Sequence, residues 1–386
     1  MDYGLTEDQI MFKKTLRKFC EKELAPHAAE VDARAEFPYE NIAKLNKLGL
    51  WGLTIPEAYG GSGANFVTYV TTVIELARVC ASTAGIFLIH AGTPSRCIWT
   101  FGTEEQKKKY LPPAVTGEKI IAWGQTEADC GSDATAMKTV GVLKGDRYIL
   151  NGRKIFISHS EAAELLIVWA KTDPNARKKS KGLSCFFVEK GFPGFSFGKR
   201  EHKVGLRGSP LTELVFEDCE VPVENVLLSH PDAFGRMMPL FNGERLGNSS
   251  ACIGIAEAAF EYAIKYMQQR EAFGKKISEF QGLQWMLADM AVLIETAKTQ
   301  LYKTAGMVDE GLPVIRESCI TKIHANEMSD KVTNMAMQLL GGHGYMQDHP
   351  VERYFRDCRG LSFGGGTPQI LRNVLAAQLL KEYSIG

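Results

Sequence analysis

Four short segments carry residue types that could hold a ligand. The turn Asp129–Asp133, rich in glycine, serine and aspartate, offers backbone N–H groups to an anion. Phe156 and Ser158 are two residues apart, so a strand presents them on one face. Arg270–Lys275 combines cations, an aromatic ring and a glycine, and Gly364–Gly366 is either a bare turn or a place where a large flat ligand is pressed. The rest of the chain decides between these uses.

Common catalytic motifs are missing from the sequence. There is no G-x-G-x-x-G and no G-x-x-x-x-G-K-[ST], so nucleotide-phosphate loops of those kinds are excluded. H-E-x-x-H, C-x-x-C and G-x-S-x-G are also absent, and we expect no metal site. The eight histidines are scattered. Among them His90 interrupts an apolar segment, where it is either a satisfied buried histidine or a substrate hydrogen-bond partner.

Helical periodicity dominates the first predicted domain, residues 1–119. Thr6 is expected to cap a helix that runs to Leu24. Thr103 opens a later helix by a capping pattern, and Pro112 with its neighbour is expected to stop it.

The period changes from near 3.6 to two at about Ile120, which predicts a β domain over residues 120–229. Lys144–Asp146 is expected to turn the chain, and Asn151-Gly152 is the strongest short hairpin signal. Antiparallel strands joined by short turns indicate a small antiparallel β-barrel or sandwich.

The helical period returns over residues 230–386. Three long apolar stripes, together with the short helix after Thr367, predict a C-terminal four-helix bundle. The expected fold is therefore mostly α with a central β domain, in the order helical, β, helical.

Composition narrows the partners and the compartment. Lys+Arg and Asp+Glu both count 45, so no basic field points to nucleic acid. No apolar run approaches the ~20 residues of a membrane span, and the N-terminus resembles neither a signal nor a transit peptide. Nine widely spaced cysteines are expected to be buried thiols in a reducing compartment. We expect a cytoplasmic or organelle-matrix protein.

Seven segments, in this order, resemble the acyl-CoA dehydrogenase family and cover almost the whole chain. They are PEAYGG at 56–61, GQTEADCGSDATAMKT at 124–139, NGRKIFISHS at 151–160, GLRGSPLTELVFEDCEVPVENVL at 205–227, QQREAFGKKISEFQ at 268–281, QLLGGHGYMQDHPVERYFRD at 338–357 and GGGTPQI at 364–370.

The resemblance implies a homotetramer that binds FAD between the β domain and the bundle, with acyl-CoA alongside. It assigns the flavin ring and pyrophosphate to Trp123, Gln125, Thr126 and Ser132, backed by Phe156 and Ser158. It assigns the adenosine end to residues of a neighbouring subunit, Arg270, Phe273, Gln281, Gln338 and Gly342, and an FAD-contacting turn to Thr367 and Gln369. Positions that usually touch CoA match Ser132, Asn242, Arg245 and Gly366, and Asn242 replaces a commoner aspartate.

The base is the point where this chain departs from many members. Removing a proton from the α-carbon of a thioester needs a carboxylate in a desolvated site, and many members supply a glutamate directly before the Gly-Thr of the last motif. Here that position is Gly365. Isovaleryl-CoA and long-chain acyl-CoA dehydrogenases, which are similar in this respect, use a glutamate in a Glu-Arg-Leu string of a bundle helix. The matching residue is Glu244, which is expected in the first turn of its helix, where the dipole favours the anion.

Three hypotheses follow. In the first, the protein is an FAD-dependent acyl-CoA dehydrogenase that passes electrons to an electron-transferring flavoprotein. The space freed at Gly365 then suggests a branched or alicyclic acyl group at least as readily as a straight one. In the second, the same fold reduces an enoyl-CoA, acts on an acyl-carrier-protein substrate, or carries out an elimination with another base, in which His90 could take part. In the third, it is a catalytically silent flavin-binding subunit.

Overall fold

A computed structural model describes residues 3–384, and the chain order is helical, β, helical as predicted. Thr6 caps the first helix through a capping box with Gln9. A π-helical turn, Cys20–Leu24, continues that helix to the predicted end. A second π-helical turn spans Leu88–Gly92. The helices of this part are α1 (Glu7–Phe19), α2 (Ala28–Arg34), α3 (Tyr39–Lys47), α4 (Phe66–Val79), α5 (Ala81–Phe87), α6 (Thr93–Phe101) and α7 (Glu104–Val115).

The prolines near the end of α7 do not stop it where the sequence suggested. The helix includes Pro112 and Pro113 and ends at Val115. Proline lacks a backbone donor but keeps its acceptor. The carbonyl groups of both prolines therefore still accept bonds, from the N–H groups of Thr116 and Lys119.

The central domain is a single eight-stranded sheet. Its strands are β1 (Ile121–Gly124), β2 (Val140–Lys144), β3 (Arg147–Ser158), β4 (Leu165–Lys171), β5 (Leu183–Glu189), β6 (Phe195–Glu201), β7 (Leu211–Pro222) and β8 (Val226–Leu228). The order is β6-β7-β3-β2-β4-β5-β8, with β1 also paired to β4. Both β1 and β2 run parallel to β4, and the path does not close on itself. The predicted β domain is present as an open, mixed sheet in place of a closed antiparallel barrel.

The predicted hairpin at Asn151-Gly152 is wrong. β3 runs through both residues, whereas the predicted turn at Lys144–Asp146, between β2 and β3, is confirmed. Gly152 is needed for a different reason: it lies at a register shift of β3 against β7 with φ 146°. A Cβ there would stand 2.7 Å from the Cα of Thr139, so glycine allows a close approach of two backbones.

The C-terminal part has the predicted four-helix bundle, with one further helix before the last. Its helices are α8 (Ala233–Gln269), α9 (Gln281–Asp309), α10 (Ile315–Leu340), α11 (Val351–Leu361) and α12 (Pro368–Glu382). A two-stranded hairpin, β9 (Glu271–Ala272) with β10 (Lys275–Lys276), joins α8 to α9. We propose domain boundaries after residues 119 and 229, in the connections between α7 and β1 and between β8 and α8.

All nine cysteines are buried free thiols, as expected. Within residues 3–384, no helix combines the length and the apolar character needed to cross a bilayer.

We predict that Gly152→Ala lowers the free energy of unfolding by about 1–3 kcal/mol, because the new methyl group must displace the backbone at Thr139. Gly306→Ala is the matched control: nothing lies within 4 Å of its added Cβ, and a helix interior favours alanine. Urea unfolding of both variants makes the comparison. Equal stabilities would contradict the close-approach explanation.

Candidate active site

Glu244 lies about three turns into α8, which begins at Ala233 and is 37 residues long. The expectation of a first-turn carboxylate is therefore wrong, and the helix dipole, whose effect fades within the first turn, does not stabilise its anion. The helix is longer than predicted because it continues through Pro239. The side chain of Glu244 keeps some accessible surface although it lies deep in the fold, as a group that lines a cleft does.

The carboxylate of Glu244 faces Gly365. A Cβ built on Gly365 would lie 3.3 Å from Oε1 of Glu244 and 3.5 Å from its Cδ. Gly365 has φ +67°, a left-handed conformation that favours glycine. A glutamate at position 365 and the glutamate at 244 would therefore compete for one space, and this chain has kept only the second.

Burial and nearby cations act on Glu244 in opposite directions. Burial raises the pKa of its carboxyl group, while Lys322 and Arg245 lower it, and the balance places the pKa at about 6. A carboxylate with this pKa is mostly ionised at neutral pH and is a stronger base than an exposed glutamate.

Arg245 is held by neutral partners. Its Nη1 donates to Oδ1 of Asn242 at 2.8 Å and more weakly to Oγ of Ser318 at 3.4 Å. Asn242 also accepts from Ser318 at 3.1 Å, so the asparagine orients the arginine without neutralising it. Within residues 3–384, Arg245 forms no ion pair and its buried Nε has no hydrogen-bond partner. Such a cation fits an anionic ligand group.

A buried ion pair in the β domain fixes the segment that follows β1. Nζ of Lys154 donates to Glu127 Oε1 at 2.7 Å and to the carbonyl of Gln125 at 3.2 Å. The N–H of Ile155 donates to the carbonyl of Thr126 at 2.9 Å. The segment that carries Gln125 and Thr126 is thereby attached to β3.

Phe156 projects from β3 at an irregularity of the strand. The register against β7 shifts between Lys154 and Ile157, and Phe156 has φ 59°. Its ring is 54% exposed, and Ser158 also keeps accessible surface. The buried Oγ of Ser160, further along, has no hydrogen-bond partner among residues 3–384. An exposed aromatic ring at a strand irregularity fits a flat ligand such as a flavin.

The other residues of this chain that were predicted to bind the flavin or the thioester lie near turns of the backbone. The hydroxyl of Thr367 caps α12 by accepting the N–H of Ile370 at 3.3 Å, and Gly366 precedes it with φ +93°. Ser132 and Gln369 are exposed. Trp123 is half-buried, and its Nε1 donates to Oε1 of Gln125 at 3.0 Å.

The five residues assigned to an adenosine end lie at the other end of the bundle from Glu244. Arg270 follows it by 26 residues, about 39 Å at 1.5 Å per helical residue. Tyr266 and His343, with ring centroids 6.0 Å apart, bring the ends of α8 and α10 together there. Every member of this set is exposed: Arg270, Phe273, Gln281, Gln338 and Gly342. One chain therefore does not bring them to Glu244.

His90 has a structural role. Its Nδ1 accepts the N–H of Ile121 at 2.9 Å, so the proton lies on Nε2, which donates to the carbonyl of Ala114 at 2.9 Å. Burial lowers the pKa of His90 to about 4, and the ring is neutral. Both nitrogens are used in joining α7 and β1, so we withdraw His90 as a substrate or elimination residue.

Lys322 is the charged group that the sequence interpretation missed. It lies fully buried on α10, with its Cε 3.6 Å from the Cβ position of Gly365. Ser318, Lys322 and Asn326 repeat every four residues and are all buried. A polar stripe at helical spacing inside a bundle helix is the signal that could have identified it.

Three family models match consecutive parts of the chain. They are the N-terminal domain of acyl-CoA dehydrogenase at residues 6–118, the middle domain at 122–219 and the C-terminal domain at 234–380.

Individual relatives agree over nearly full length. The short-chain specific acyl-CoA dehydrogenase of Clostridium acetobutylicum is 42% identical, over 99% of this chain and 100% of its own. The acryloyl-CoA reductase (NADH) of Anaerotignum propionicum is also 42% identical, over 99% of this chain and 96% of its own. A chain from the structural study of the electron transferring flavoprotein of Acidaminococcus fermentans superposes with a TM-score of 0.95 at 42% identity, covering 99% of this chain and 100% of that one.

The fold and the site thus define an oxidoreductase. The chain belongs to the acyl-CoA dehydrogenase family, whose members are FAD-dependent.

The raised pKa of Glu244 predicts a pH-dependent stability. Its pKa is about 6 in the fold against 4.5 for an ordinary glutamate, so the folded state holds the proton more tightly and stability falls as pH rises between these values. Glu244→Gln is expected to match the wild type near pH 4 and to exceed it by about 1 kcal/mol above pH 7, after allowance for solvent screening. Urea unfolding across this pH range measures the difference. Glu57→Gln, the same substitution at an exposed residue, is the matched control.

Proposed function

We propose that this chain dehydrogenates an acyl-CoA thioester between Cα and Cβ, with Glu244 as the base that removes the α-proton. The observation that carries the proposal is the contact between the carboxylate of Glu244 and Gly365. The glutamate of many relatives is missing at position 365, and a carboxylate from α8 points at the same place. The family membership supplies the reaction type.

The residues around Glu244 support this role in three ways. Partial desolvation makes the carboxylate a better base, and its ionised form persists at neutral pH because cations lie near it. Gly365 and Gly366 add no side chain to the space in front of the carboxylate, so a substrate can reach it. Arg245, which forms no ion pair within residues 3–384, is available for a charged part of CoA.

FAD, when bound, supplies the acceptor for the hydride that leaves Cβ. Phe156 and Ser158 would lie against its ring system, next to Gln125 and Thr126, whose carbonyl groups accept hydrogen bonds from Lys154 and from the N–H of Ile155, respectively. Trp123, Ser132, Thr367, Gln369 and Gly366 complete the proposed binding residues of cofactor and thioester on this chain.

A second copy of the chain supports the other end of the cofactor in this proposal. Arg270 is about 39 Å from Glu244 along α8, and the exposed set from Arg270 to Gly342 lies at that end of the bundle, too far to contact the same part of a ligand. We propose that it contacts the adenosine of a neighbouring subunit in a homotetramer. An electron-transferring flavoprotein is the proposed acceptor, which the similarity to the chain from the Acidaminococcus study supports.

The size of the acyl group is better argued from relatives than from Gly365. A branched group would need the space that a missing side chain at 365 leaves, but the carboxylate of Glu244 occupies this space, 3.3 Å from the Cβ position of Gly365. The resemblance to a short-chain specific enzyme supports a short acyl group. Butyryl-CoA, isobutyryl-CoA and cyclohexanoyl-CoA therefore form the test panel.

The reverse reaction is a second candidate, favoured by the similarity to an acryloyl-CoA reductase. The two directions separate when the flavoprotein is assayed with acyl-CoA plus an oxidant and with enoyl-CoA plus a reductant. Faster turnover of the enoyl-CoA would favour the reductase. Absence of flavin bleaching by any acyl-CoA would remove the dehydrogenase proposal.

Glu244→Gln is expected to slow flavin bleaching by the best acyl-CoA about 10²–10⁴-fold, because an amide cannot accept the α-proton. Stopped-flow absorbance measures the rate. Glu261→Gln is the matched control: it lies on the same helix but pairs with Arg78 outside the site, and it should keep near-normal turnover. Normal rates in Glu244→Gln would refute the assignment of the base.

Exchanging the two positions tests the shared space directly. The double variant Glu244→Gly with Gly365→Glu is expected to bleach its flavin at least about 10-fold faster than Glu244→Gly alone, since its carboxylate enters the same space. It should remain slower than the wild type, because a glutamate at φ +67° is strained by about 1–2 kcal/mol. No recovery in a folded, flavin-loaded double variant would contradict the shared-space explanation.

A further inference from the structure

The ammonium group of Lys322 is fully buried and all its donors are used. It donates to Oδ1 of Asn326 at 3.1 Å, to the carbonyl of Leu361 at 3.4 Å and to the carbonyl of Gly366 at 2.9 Å. An ammonium has three N–H donors, so its hydrogen bonding is complete. Within residues 3–384 it forms no ion pair. A buried cation without a paired carboxylate is costly and calls for a reason.

The two carbonyl partners lie at the ends of the glycine loop, residues 362–366. Leu361 is the last residue of α11, and Gly366 directly precedes Thr367, the N-cap of α12. Asn248 of α8 strengthens the first attachment by donating to the carbonyl of Leu361 at 2.8 Å. Glycines have no side chains whose contacts could order them, so these hydrogen bonds help to hold the two ends of the loop.

Lys322 also acts on the base through space. Its Cε and the Oε1 of Glu244 lie 3.6 Å and 3.3 Å from the same point, the Cβ position of Gly365. Among the cations that face Glu244, Lys322 of α10 has the larger effect and Arg245 of α8 the smaller.

The other elements packed around Glu244 contribute two neutral groups and one cation, Arg96 of α6, whose Nη1 lies 2.5 Å from the Cβ position of Gly243. Tyr69 of α4 and Cys97 of α6 are both near enough to Glu244 for its charge to act on them, and burial keeps each in its neutral form. The glycine loop itself contains no charged side chain between residues 362 and 366.

We propose that Lys322 is the positioning residue for the base: it fastens the glycine loop at both ends and keeps the carboxylate of Glu244 ionised opposite Gly365. This inference rests on the proposed role of Glu244. It is distinct from proton removal, because Lys322 acts through the loop and the carboxylate and not on the reacting atoms.

Three substitutions separate the two effects. Lys322→Met removes charge and hydrogen bonds, Lys322→Gln keeps a donor without the charge, and Lys322→Arg keeps the charge. We compare the pH profiles of flavin bleaching by butyryl-CoA. The acid limb of Lys322→Met and of Lys322→Gln is expected at a pH about 1 unit higher than in the wild type, because a positive charge no longer favours the ionised form of Glu244. Lys322→Arg should leave the limb in place. Lys298→Met is the control, a buried lysine of α9 that pairs with Glu257 away from the site, and it should not move the limb.

Hydrogen exchange of residues 361–367 provides a readout that does not depend on turnover. The amides of residues 361–367 are expected to exchange faster in Lys322→Met than in the wild type. In Lys298→Met their exchange should be unchanged. An unmoved acid limb together with unchanged exchange would overturn the proposal, even if activity falls. If wild-type flavin is not bleached by any acyl-CoA, the proposed function fails, and the exchange experiment alone then decides whether Lys322 fastens the loop.

Discussion

The contact between one carboxylate and one glycine is the constraint on which the site depends. Glu244 approaches Gly365 to 3.3 Å, measured to the Cβ position, only because that residue has no side chain and adopts φ +67°. Two helices and a loop must keep this geometry. α8 carries the carboxylate, α10 carries Lys322, and the glycine loop between α11 and α12 is attached to Lys322. The pKa of Glu244 is about 6 because burial raises it and the nearby cations partly offset this rise.

The β domain uses similar physics to hold the segments that we propose to contact FAD. A buried ion pair between Lys154 and Glu127 attaches the segment after β1, and an irregularity of β3 turns Phe156 outward in a left-handed conformation. Both features cost free energy, through desolvation in one case and backbone strain in the other. Such costs are typical of positions retained for ligand binding.

Local signals in the sequence were sufficient to predict much of the fold. The capping box at Thr6 and the change of period at Ile120 depend on near neighbours, and both predictions agree with the structure. The predicted hairpin turn at Asn151-Gly152 was wrong because pairing with strands outside the segment overrides a local turn preference. Gly152 instead allows a close approach of two backbones. The position of Glu244 within α8, the neutral role of His90 and the attachments of Lys322 depend on contacts distant in sequence. Residue types alone do not give them.

Exchange of the α-hydrogen tests the central assignment most directly, because it isolates proton removal from hydride transfer. Butyryl-CoA would be incubated anaerobically in D₂O with the fully reduced flavoprotein, which has no capacity to take a hydride, and deuterium at Cα followed by mass spectrometry. The account predicts incorporation catalysed by the wild type and lost in Glu244→Gln, with Glu261→Gln unaffected. Undiminished incorporation by Glu244→Gln would show that another group removes the proton, and would contradict the account.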